Sequence, residues 1–182
     1  MARDKPVRIT VSKLDAAKRQ IETAISLWFH DADIVSIHTL VAAGHQVCHG
    51  ILKHRKIKVS MIFNLELLPE DARIAYKRFI LAPENFFKHG DDDPNPYASI
   101  DLVLGVTEVY LVDAIYLFHN LNGGVVTPTM KAFSTYFEIL NPHLLKEEFS
   151  GRIREPLWIE MGKVPKATFY KAFLQTMKRL GR

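Results

Sequence analysis

The segment from Glu84 to Pro94 gathers an amide (Asn85), an ammonium (Lys88), an imidazole (His89) and three carboxylates (Asp91, Asp92, Asp93) around the pair Phe86-Phe87. Asn85, Lys88 and His89 are spaced i, i+3, i+4, so a helix places all three on one face. In that arrangement Lys88 could hold a phosphate oxygen and Asn85 could orient a substrate group. His89 could serve as general acid or base, the task to which an imidazole is generally suited. The trio suits metal-free cleavage of RNA, in which a base takes the proton of a ribose 2′-hydroxyl. Arg78, Asp91 and Asp93 are the nearby candidates for completing a ligand-binding surface. A local reading competes. Lys88 and His89 can simply neutralise the adjacent Asp residues while Asn85 caps a helix end, which is the commoner role of short polar clusters.

A second constellation is the histidine edge of an earlier helix. His45 and His49, at i and i+4, can place two imidazoles on one metal, and His38 lies two turns before His45. Zinc or nickel is the cofactor this pattern would take, with a third ligand drawn from His89, His119 or Glu108. Without that ligand these are helix-boundary histidines bonded to neighbours, and the protein needs no cofactor. Asp91, Asp93 and Asn95 alternate like the opening of a calcium loop. Pro96 replaces the required Gly and no closing Glu follows, which excludes an EF-hand. Cys48 falls on an apolar stripe, where thiols are usually inert. The chain contains no phosphate-binding loop, dinucleotide fingerprint or nucleophile elbow.

These groups must be positioned by helices. Thr10 or Ser12 can cap a first helix carrying Leu14, Ala17, Ile21, Ala24, Ile25 and Trp28 at helical spacing. Asp33 caps a second, striped by Ile34, Ile37, Val41, Gly44, Cys48 and Ile51, with Gly44 marking a close approach to a neighbour. Lys58 to Leu68 reads as a short strand or extended loop. Pro69, Glu70 and Asp71 open a third helix expected to end near Leu81, because Pro83 disfavours continuation and starts a separate short helix ending at Gly90. A helix from Ser99 to about His119 is apolar on nearly all sides and should be central. Asn122-Gly123-Gly124 ends it. Pro128 starts a helix to about Leu140, and Thr168 to Leu180 closes the chain. The class is all-α: a single-domain bundle of about six helices over residues 1–182, with its central helix near 100–118.

At 182 residues, 48% of them hydrophobic and 24% charged, the chain is long enough to bury a core without staples. One Cys excludes an internal disulfide framework. The N-terminus lacks the apolar core of a signal peptide, and the longest apolar stretch is interrupted by Asp101, Glu108 and Asp113. A cytoplasmic protein without a membrane partner is expected. The net charge of +4 gathers at Lys53–Lys58 and Lys163–Arg182. Such runs are usually solvated faces; they permit contact with RNA and give no reason to expect DNA.

The phrases Val35-Ser36-Ile37-His38-Thr39-Leu40 and Asn85-Phe86-Phe87-Lys88-His89 resemble those of a group of bacterial proteins with no assigned activity. The second phrase also resembles the motif region of HEPN domains, in which an Arg and a polar residue precede a His. That likeness implies an all-α dimer and a metal-independent ribonuclease of toxin or defence type. Here the preceding Arg is Arg78, with Pro83 between. Three readings follow. The first is a ligand- or partner-binding regulatory module using the Asn85–His89 segment. The second is a HEPN-like ribonuclease with His89 as base, and the third a His-rich metal-binding bundle. A two-fold homodimer is expected, which would let two copies of the segment face one cleft.

Overall fold

The computed structural model describes residues 7–63, 65, 69–90, 93–144 and 160–181. The described residues form an all-α bundle of α1 (Lys13–Phe29), α2 (Ile34–His54), α3 (Glu70–Lys88), α4 (Leu104–Leu121), α5 (Pro128–Leu140) and α6 (Lys166–Arg179), with a short 3-10 turn at Pro142–Leu144. No described helix is long and apolar enough to cross a membrane.

Side-chain caps start three of the six described helices. The Ser12 hydroxyl accepts from the Asp15 amide at 3.0 Å, so Ser12 and not Thr10 caps α1. The Asp33 carboxylate accepts from Ser36 at 2.7 Å and starts α2. Thr127 accepts from Met130, with Pro128 in the first turn of α5. α4 begins at Leu104, later than the apolar pattern implied. Ile100 and Val103 are β-branched, Gly105 follows, and Val103 and Leu104 are exposed, so neither propensity nor burial holds the first predicted turn in a helix.

One open reading is resolved and one expectation is corrected. Residues 57–60 form no strand: the amides of Met61 and Ile62 go to the Asp113 carboxylate instead of a strand partner. α3 does not stop at Leu81 but runs unbroken through Pro83 to Lys88. Proline in a helix interior costs about 3 kcal/mol. The offset is tertiary. Pro83 and Glu84 are buried, and the Glu84 carboxylate accepts from the Tyr110 hydroxyl of α4 at 2.9 Å.

α2 shares the centre with α4, packing against α1, α3 and α4. At the other end of the core Trp28, Phe29, Phe133, Tyr136, Phe169 and Tyr170 join α1, α5 and α6, with Phe29 and Tyr170 stacked at 4.4 Å. Lys166 fastens α6 to α1, lying 4.4 Å from the Trp28 ring centroid and 2.7 Å from Asp31.

α1 and α2 approach closely at Gly44, where a Cβ would sit 2.8 Å from Ile21 Cγ1 and 3.2 Å from the Ala17 carbonyl. Gly50, on the same helix, has nothing within 4 Å of that position. Gly44→Ala is therefore expected to lower unfolding free energy by about 1–2 kcal/mol through overpacking, despite the better helix propensity of Ala. Gly50→Ala should raise it by about 0.5–1 kcal/mol. Urea denaturation of both variants checks the pair, and equal effects would contradict the close approach.

Candidate functional site

The Asn85–His89 segment forms the C-terminal turn of α3. Asn85 and His89 are exposed, and the His89 amide caps the helix by donating to the Asn85 carbonyl at 3.0 Å. Lys88 is tied to the Glu84 carboxylate one turn back. Because α3 continues through Pro83, Arg78 and Asn85 lie two turns apart on one side of it, both exposed. Phe87 packs edge-on against the His38 ring at 5.9 Å, while Phe86 is partly exposed. Asp93 accepts from the Asn95 amide at 3.0 Å in a local turn; Asp91 lies outside the described residues.

The histidine edge of α2 faces the core. His38 Nδ1 is 3.0 Å from Thr107 Oγ1, and His45 Nε2 is 2.8 Å from Asp113 Oδ2, all four residues being fully buried. His49, half-buried, stacks on His45 with ring centroids 6.0 Å apart and lies 4.4 Å from the Phe63 ring. Among the described residues no group of three or more His, Cys, Asp or Glu side chains is placed to hold a metal ion. His119 and His89 are exposed and Glu108 borders a different cleft, beside Trp28 and Lys166. Burial lowers the His38 pKa to about 4, with Glu84 opposing. Burial likewise lowers His49, reinforced by His45 and Lys53. The buried Cys48 thiol is pushed up to about 12, consistent with an inert core residue.

Two carboxylates anchor the polar core. Burial works to raise Glu84, but Lys88, Tyr110 and Gln46 outweigh it and its pKa is lowered. Burial similarly opposes Asp113, which is nevertheless lowered by His45, the Ser60 hydroxyl and the Met61 amide. Asp113 Oδ2 accepts from Ser60 Oγ at 2.6 Å and from Ile62 N at 3.3 Å, and Oδ1 accepts from Met61 N at 2.8 Å. Ser60 Oγ in turn accepts from the amides of Ile62 and Phe63, each at 3.2 Å. One carboxylate on α4 thus fixes the turn at residues 60–63 against the bundle.

That turn forms one wall of a cleft of about 700 Å³. The end of α2 supplies His49 and Lys53, the following segment supplies Lys56, Lys58 and Phe63, and α3 supplies Arg73 and Lys77. Leu52, Val59 and Leu117 give it an apolar floor, and among the described residues no carboxylate lines it. Arg73 Nε is buried and has no hydrogen-bond partner among the described residues.

The end of α2 is closed by a paired turn: Ile57 N–H donates to the Leu52 carbonyl at 2.9 Å and Lys56 N–H to that of Lys53 at 3.0 Å. Lys56 therefore adopts φ 60°, the left-handed position where glycine is usual and a side chain costs about 1 kcal/mol. The basic run Lys53–Lys58 does not continue as a helix face but folds around the rim of the cleft.

Sequence reasoning missed Asp113, Ser60, Arg73 and Lys77 as site residues. The available signal was a basic run at a helix end, followed by Arg73 and Lys77 at i, i+4 on the next helix. Set against family models, curated proteins and solved structures, the chain matches none of them.

Proposed function

We propose that this protein is a binding module for a small anionic molecule, seated in the cleft between the end of α2, the 60–63 turn and α3. The carrying observation is the convergence of Lys53, Lys56, Arg73 and Lys77 on one cleft with no carboxylate among its described lining residues. Like charges held together are mutually repelled. An anion in the cleft relieves that repulsion, and the apolar lining of Leu52, Val59 and Leu117 strengthens the attraction by excluding water from one side. This reading keeps the regulatory or binding class expected from the sequence but moves its surface away from Asn85–His89. The ribonuclease reading draws less support. Lys88, its phosphate holder, is already bonded to Glu84, and His89 stands exposed at a helix end.

Inorganic tripolyphosphate, added at constant ionic strength, should raise the melting temperature in a saturable way. A ligand at a hundred times its Kd stabilises by about 2.7 kcal/mol. Lys77→Glu should weaken the apparent affinity by about tenfold or more, the loss of one attraction and the gain of one repulsion at close range. A shift no greater than that produced by chloride of equal ionic strength would refute the proposal.

A further inference from the structure

We infer that the natural occupant of this cleft is a nucleoside polyphosphate, its phosphates on the cationic rim and its base against Phe63. The inference rests on the anion-binding reading and adds the chemistry of the ligand.

Charge sets the first part. A phosphate monoester carries a charge of about −1.5 to −2 near neutrality. The cleft faces it with Lys53 from the end of α2 and Lys56 from the turn that follows, and with Arg73 and Lys77 from α3. Cations on two walls are matched by a chain of phosphates that bridges them better than by one group that can approach only one wall. Arg73 can use its planar fork on such a chain, while the lysines act as point charges.

Shape sets the second part. About 700 Å³ lies within the range of organic-ligand sites and leaves room beyond a bare polyphosphate. The remaining wall is aromatic and aliphatic. Phe63 and His49 lie 4.4 Å apart with a tilt of 37°, and Leu52, Val59 and Leu117 extend the apolar surface beneath them. His49 is half-buried with a lowered pKa, so near neutrality it presents an uncharged ring. A planar heteroaromatic base can stack on such a surface, and stacking of this kind is tolerant of base identity. The turn that carries Phe63 is already fixed by Ser60 and Asp113, so little ordering accompanies binding.

The strained Lys56 is the third observation. A lysine holds a left-handed position that glycine would occupy without penalty. A backbone cost retained at a cleft rim accords with a role for that side chain.

Calorimetric titration in EDTA at fixed ionic strength, using ATP, GTP, AMP, tripolyphosphate and a short single-stranded RNA, tests the inference. ATP or GTP should bind about fivefold or more tightly than tripolyphosphate, as stacking adds to charge, and AMP should bind more weakly than either. Phe63→Leu should remove most of the preference for ATP or GTP over tripolyphosphate while leaving tripolyphosphate affinity in place. Lys56→Gly should weaken both ligands with an unfolding midpoint equal to or above wild type, which separates a binding role from a structural one. Equal affinity of tripolyphosphate and both nucleotides, or a Phe63→Leu variant with unchanged preference, would overturn the nucleoside while leaving the anion site standing. Failure of every ligand to bind overturns both. Tighter binding of the RNA than of ATP and GTP overturns the small-molecule occupant in favour of an RNA surface.

Discussion

Asp113→Ala is expected to lower the unfolding free energy by about 3–5 kcal/mol, the scale for leaving buried polar partners uncompensated. The carboxylate is fully buried on α4 and accepts four hydrogen bonds, from His45 Nε2, Ser60 Oγ, Met61 N and Ile62 N. Truncation leaves those donors facing a hole. Each unmet buried donor costs about 1–3 kcal/mol, and partial rearrangement keeps the total below the simple sum. Two donors are backbone amides of the cleft turn, so the damage is not confined to stability. Ligand affinity should fall as well, although the Asp113 side chain belongs to the core and not to the cleft lining. Asp113→Asn retains one acceptor oxygen and should lose less, but its amide must point hydrogens at some of the same donors. Urea denaturation gives the stability change, and hydrogen exchange at the Met61 and Ile62 amides locates it. A loss below about 1 kcal/mol, with those amides still protected, would show that the four bonds do not carry the turn.

The helices were legible where one residue type does one local job. Ser12 and Asp33 cap, Gly44 permits close approach, and Asn122-Gly123-Gly124 ends α4. What the sequence leaves wrong or open is decided by contacts distant in it. Pro83 reads as a break until Glu84 is seen bonded to Tyr110, which lies 26 residues further on. Lys58 to Leu68 leaves strand or extended loop open, and over its described residues the loop is decided by the Met61 and Ile62 amides bonding to Asp113, more than 50 residues away. The polar phrase at Asn85–His89 illustrates the opposite case. Glu84 and Lys88 are at i, i+4 in the favoured order, so the pairing that occupies Lys88 was readable within the phrase itself. The cleft was the least legible feature. A basic run looks like a solvated face in one dimension, and becomes a cleft rim only when α3 brings Arg73 and Lys77 opposite it.

The second large effect is loss of stability in mild acid, carried by His38. Its ring is fully buried between Tyr110, at 5.0 Å, and Phe87, at 5.9 Å, and only Thr107 Oγ1 meets one of its nitrogens; Nε2 has no partner among the described residues. Burial therefore disfavours the charged ring and lowers its pKa from 6.5 to about 4, Glu84 opposing and Lys88 reinforcing. Between those values the unfolded chain binds a proton that the folded protein refuses. Stability is thus fully present above about pH 6.5 and falls as pH drops toward 4, by about 3 kcal/mol across the interval. His49, also lowered, acts in the same direction. The lowered carboxylates Asp113 and Glu84 extend the loss further into acid, because their stabilisation disappears as they protonate. Glu138, raised by burial, works the other way and softens the decline at its acidic end. His38→Gln keeps a hydrogen-bonding group near Thr107 and removes the titration. Its unfolding free energy should start below wild type at pH 7 and decline less steeply, so that the two profiles converge near pH 4.5. Parallel profiles would mean that His38 accepts its proton in the folded state, which would require a partner or water at Nε2 and a core less sealed than its zero exposure implies.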